Sequence, residues 1–113
     1  MKTVIKIPKQ IQIGGHTYQV FYKPYLSSDS GNRGRINHRK QVIHIEPENP
    51  ISQQNVTILH EIIHFTENIF SLNLTDEDTD RISEGLLQVL SDSFGIEFDW
   101  SDIESVTSDN DVK

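Results

Sequence analysis

The chain of 113 residues is long enough for one hydrophobic core and too short for two. Its 35% hydrophobic content lets it fold, and the absence of cysteine excludes disulfides, thiolate zinc sites, iron–sulfur clusters and cysteine nucleophiles, so any metal must sit on His, Asp or Glu. The net charge of −7 conceals a division: residues 1–45 carry eight Lys or Arg against Asp29 alone, and residues 46–113 carry sixteen acids against Arg81 and Lys113.

Five stretches of the first half read as strands. Thr3 to Ile7 alternates weakly before Pro8, and Ile11 to Ile13 and His16 to Lys23 flank Gly14-Gly15 as a hairpin on a two-residue turn. The Ser, Asp, Gly and Asn cluster between Pro24 and Gly34 is loop chemistry. Arg35 to His38 and Gln41 to Glu46 then form a second hairpin around Arg39-Lys40, with Ile43 and Ile45 toward the core. Arg33 and Arg35 suit an exposed edge strand, because charge there discourages pairing with other chains.

The period changes after Pro47. From a cap at Ser52, the apolar residues Ile58, Leu59, Ile62, Phe65 and Ile69 recur at helical spacing, predicting a helix over 53–70. Thr75 caps a second helix over 76–93 whose first turn, Asp76-Glu77-Asp78, suits the positive end of the helix dipole. Ile82, Leu86, Val89 and Leu90 are its expected buried stripe. Residues 98–113 read as an acidic tail attached to a domain over 1–97, mobile from Asp102 onward. The fold class is α+β: a small, twisted, mostly antiparallel sheet followed by two helices.

The first helix carries His60-Glu61-Ile62-Ile63-His64. Residues i and i+4 stack on one helical face, so both imidazoles can reach one ion, and Glu61 projects about 100° away beside them. That is the H-E-x-x-H arrangement of a zinc (Zn2+) site with its general base. A catalytic zinc takes three protein ligands, and no His follows His64, so the third must come from elsewhere. Glu84, in the middle of the second helix, is the favoured donor, and Asp80 one turn earlier is its rival for that role or an orienting partner.

His60-Glu61-x-x-His64 followed by a Glu on the next helix resembles the gluzincin branch of zincin metallopeptidases, and the chain's size is similar to that of the minimal members, the minigluzincins. The stretch from Arg35 to Gln88, about half the chain, also resembles small phage-encoded or bacterial metallopeptidase-like proteins near the ImmA/IrrE-type and SprT-like groups. The resemblance implies a minimal zincin-like fold, zinc on His60, His64 and Glu84, and Glu61 as general base. It further implies residues 35–38 as an edge strand that pairs with an extended peptide substrate. Gluzincins often orient a zinc histidine with an Asp four residues beyond the Glu ligand, where this chain has Gln88. They also often supply an oxyanion donor downstream, and this chain has no His or Tyr after Glu84, which leaves His38, His44 or a Tyr of the first half.

The expected function is therefore zinc-dependent hydrolysis of peptide bonds. The alternatives are a zincin-fold metal-binding module with little turnover that binds a segment of a partner protein, and an interaction protein without metal. A peptide or protein is the expected partner. Nucleic acid is not, because the basic half lacks a recognition motif. With no apolar run near the roughly 18 residues of a span and no secretory leader before Pro8, the expected location is the cytoplasm of a bacterium or phage-infected cell.

Overall fold

In a computed structural model, which describes residues 2–106, the chain is α+β, with six strands, three α-helices and a π-helical turn. Strands β1 (Thr3–Lys6), β2 (Gln10–Ile13) and β3 (His16–Tyr22) precede a short helix α1 (Leu26–Ser30). Strands β4 (Gly34–Asn37) and β5 (Val42–Ile45) come next, then helices α2 (Ile51–Phe70) and α3 (Asp76–Gln88), the π-turn (Val89–Ser93) and strand β6 (Ile96–Asp99). No helix among the described residues is long and apolar enough to cross a membrane.

Both expected hairpins form. Gly14 and Gly15 have φ of 58° and 81°, the pair of positive angles that a two-residue turn between twisted strands demands. The β4–β5 turn is closed by the Lys40 N–H donating to Asn37 Oδ1. The sheet is nevertheless mixed, with order β2-β3-β5-β4 and a parallel β3–β5 pair at its centre. After β3 the chain passes through α1, skips one strand position to lay down β4, and the returning β5 fills the gap, necessarily parallel to β3. β4 is left as an edge.

Helix α2 crosses one face of this sheet and buries Ile58, Leu59 and Phe65 against Tyr18, Val20, Ile43 and Ile45. The Tyr18 and Phe65 rings meet at 4.1 Å. The helix begins two residues before the expected start, with Pro50 as its cap, so Ser52 lies inside the first turn and is not the cap. Thr75 does cap α3, its side chain accepting from the Asp78 N–H.

Further expectations fail, the first being the loop between Pro24 and Gly34, which contains helix α1. On α3 the face against α2 is built on Thr79 and Ser83, both 0% exposed, with Leu87 and Leu90 partly buried, whereas Ile82, Leu86 and Val89 point to solvent. Small residues let the two helices approach closely, and that seam rotates the apolar stripe outward. The acidic tail from residue 98 is also absent as such: β6 pairs in parallel with β1 as a second, two-stranded sheet, and Trp100 and Ile103 are buried in the core. Trp100 stacks on Tyr22 at 5.7 Å and donates its Nε1–H to Asn55, and Ser105 bridges to Tyr22. Ile96, Phe98 and Trp100 alternate at the strand period, the signal that the acids between and after them mask. The last seven residues of the tail lie outside the described residues.

Candidate metal centre

His60 and His64 stand one turn apart on α2 with their Nε2 atoms 2.9 Å from each other and their rings at 78°. Each ring is held from behind. Asp80 Oδ1 lies 2.8 Å from His60 Nδ1, and Glu67 Oε1 lies 2.9 Å from His64 Nδ1. A carboxylate only accepts, so each Nδ1 carries a proton, which leaves the two Nε2 atoms facing each other. At 2.9 Å the two Nε2 atoms are within hydrogen-bond distance of each other, so the contact is satisfied by a proton shared between them or by a metal ion in its place. Zinc with about 2.0–2.1 Å bonds at a tetrahedral angle would place the nitrogens about 3.3 Å apart, so a shift of a few tenths of an ångström accommodates it. Burial and then the neighbouring His64 ring hold His60 below the ordinary histidine range despite Asp80, which favours the neutral, ligating form.

Glu67 is the residue that sequence reading missed. Its second oxygen accepts the Leu74 N–H across the α2–α3 turn, so the same carboxylate fixes the loop and the His64 ring. The Leu74 N–H, with the His64 ring as a lesser contributor, holds its carboxyl below the usual range. The available signal was the i, i+3 spacing from His64.

Glu61 is only 4% exposed. Burial raises its carboxyl from an ordinary 4.5 to about 7, against a smaller opposing effect of His64. Its crowded neighbour is Gly34 on the edge strand: a Cβ there would lie 3.1 Å from Glu61 Oε2 and 2.4 Å from Thr57 Cγ2. Both residues line a cavity of about 570 Å³ that also receives His60, Asp80 and Glu84.

The remaining expected site residues divide. Asp80 takes the orienting position behind His60. Glu84 is exposed, one turn further along α3, and lines the same cavity. Among the described residues no group of three His, Asp or Glu side chains is gathered to hold a metal. Gln88 is exposed at the last residue of α3 and, among the described residues, hydrogen-bonds neither histidine. A second turn of helix beyond Glu84's neighbour Asp80 carries it past the site. His38 follows the edge strand, with its Nδ1 2.9 Å from the Tyr18 hydroxyl, and borders a smaller cavity together with His64 and Glu67. His44 is buried within β5, between Arg35 and Phe21 in the strand register.

The Glu46 N–H donates to the Arg33 carbonyl, which sets the phase of the β4–β5 ladder. Arg35 therefore turns its backbone groups to β5, and Gly34 and Ile36 turn theirs to the open edge, beside the cavity. No family model matches the chain, and neither a curated protein nor a solved structure does so.

Proposed function

We propose that the protein is a zinc-dependent hydrolase of peptide bonds, with His60 and His64 as metal ligands and Glu61 as general base. The observation that carries this reading is the carboxylate clamp on both imidazoles, which sets their two Nε2 atoms face to face on the helix turn that carries a buried glutamate. Glu84 is the proposed third ligand, reaching from the other wall of the shared cavity. Asp80 is assigned to orienting His60, because its oxygen already accepts the hydrogen bond of the Nδ1–H.

A bound zinc supplies Lewis acidity, which lowers the pKa of water toward about 7 and polarises a carbonyl. Glu61 accepts the proton that the attacking water loses and returns it to the departing amine. Asp80 and Glu67 keep the imidazoles in one tautomer throughout. The open backbone groups of Gly34 and Ile36 would pair with an extended substrate and lay its carbonyl along the cavity.

Elemental analysis of the purified protein, with His60→Ala/His64→Ala beside the native chain, tests the metal. One zinc per chain that the double substitution abolishes supports the reading, and unchanged zinc in the double variant would overturn it. Glu84→Ala should lose more metal than Asp80→Ala. Glu61→Gln should retain zinc and lose cleavage of a peptide mixture read by mass spectrometry. Cleavage equal to the native rate would remove Glu61 from its role.

A further inference from the structure

Helix α3 and the π-turn after it present four large apolar side chains to solvent: Ile82 at 45%, Leu86 at 43%, Val89 at 47% and Phe94 at 65% exposure. Ile82, Leu86 and Val89 follow the i, i+4, i+7 rule of a single helical stripe. The π-turn extends it. Its i to i+5 bond, from the Phe94 N–H to the Val89 carbonyl, sets Phe94 one turn above Val89, where an α-helix would have carried residue i+5 well off the stripe. Among the described residues the fold does not use this face, because Thr79 and Ser83 make the seam with α2. Apolar side chains that are periodic, adjacent and uncovered mark an interaction surface.

Charge selects the occupant. Beside the stripe the exposed carboxylates are Asp78 and Asp92, and the guanidinium of Arg81 is already paired with Glu77 at 3.2 Å. Asp78 lies one turn before Ile82, and Asp92 three residues after Val89, so acids flank the Ile82, Leu86 and Val89 part of the stripe. A second copy offering the same face would bring like charges together, and nucleic acids and anionic bilayers are repelled for the same reason. We propose that the outer face of α3 and the π-turn is a docking site for an amphipathic helix of another protein, apolar along one stripe and flanked by Lys or Arg. The site is separate from the metal centre, and its occupancy does not depend on whether the histidines bind zinc.

The test uses the full chain and two synthetic helical peptides of about 18 residues with the same Leu stripe, one flanked by Lys and one by Glu. Binding is read by fluorescence anisotropy at low and high salt, and amide shifts locate it. The Lys peptide should bind with shifts on α3 and weaken as salt rises, and the Glu peptide should bind at least about tenfold less well. Ile82→Ser/Leu86→Ser should lose about tenfold or more, with its circular dichroism unchanged because both side chains already face solvent. Asp78→Asn/Asp92→Asn should lose about threefold and much of the salt dependence. Equal binding of the two peptides, no binding of either, or binding that the serine variant leaves intact would overturn the proposal. So would sedimentation of the native protein as a dimer that Ile82→Ser/Leu86→Ser dissociates, which would assign the face to a second copy.

Discussion

Gly34 shows how a single missing side chain shapes the site. A methyl group there would sit 2.4 Å from Thr57 Cγ2, so Gly34→Ala must push α2 and β4 apart and should cost about 1–3 kcal/mol in urea unfolding. Thr57→Ser removes the clashing carbon, and the double variant should recover most of that loss. Glu61 gives a second prediction, for the chelator-treated protein. Its carboxyl has a higher proton affinity folded, at about 7, than unfolded, at 4.5, so its contribution to stability is complete below about pH 4.5 and is lost as pH rises through 7. The native chain should thus lose about 3 kcal/mol from this group between about pH 4 and pH 8, and Glu61→Gln should not. Denaturant titrations of both proteins at the two pH values read the difference, and parallel curves would refute it. At this scale the motif was legible, since His60, Glu61 and His64 follow from the pitch of one helix. Glu67 and Gly34 were not: one acts through a turn closed by Leu74, the other through an approach between elements distant in sequence.

An element's periodicity states which residues share a face and leaves open which face the protein covers. Helix α3 makes the point, because three of the four residues grouped as one stripe, Ile82, Leu86 and Val89, do share a face that a seam of Thr79 and Ser83 turns outward, while Leu90 packs inward. Size decides here. Enlarging a 0% exposed seam residue, as in Ser83→Leu, should cost about 1–3 kcal/mol by wedging α3 from α2, although it adds apolar surface. Ile82→Ser, on the outer face, should change stability by no more than about 0.5 kcal/mol. Thermal unfolding of the pair checks the order, and a larger loss for Ile82→Ser would put the seam on the wrong face. Strand β6 was hidden by the acids around it, and strands β1 to β5 were legible through their β-prone runs and the Gly-Gly turn. The parallel β3–β5 pairing was not, because local pattern carries no record of which strand position a chain skips.

Across the whole molecule the basic first half and the acidic second half meet. Lys2 pairs with Glu97, Lys6 with Asp102 and Lys9 with Glu104, at 3.5, 3.4 and 3.7 Å, along the seam where the chain from β6 onward returns to the N-terminal strands. All six side chains are exposed, so these pairs guide the return and contribute little to its strength. Burial supplies the strength. Trp100 and Ile103 are 6% and 7% exposed, and a side chain of either kind contributes about 1.5–3 kcal/mol or more when buried. Removing residues 98–113 also breaks the Trp100 to Asn55 hydrogen bond and the last register pairs of β1 with β6. The combined loss approaches the about 5–15 kcal/mol that holds a domain together. Truncation before Phe98 should therefore abolish the cooperative unfolding transition and the dispersion of amide resonances, and any loss of zinc would follow from lost structure. Trp100→Ala alone should cost about 3–5 kcal/mol. A truncated chain that kept its dispersed spectrum and a sharp transition would return residues 98–106 to the standing of an appendage and leave β1 without the partner that orders it.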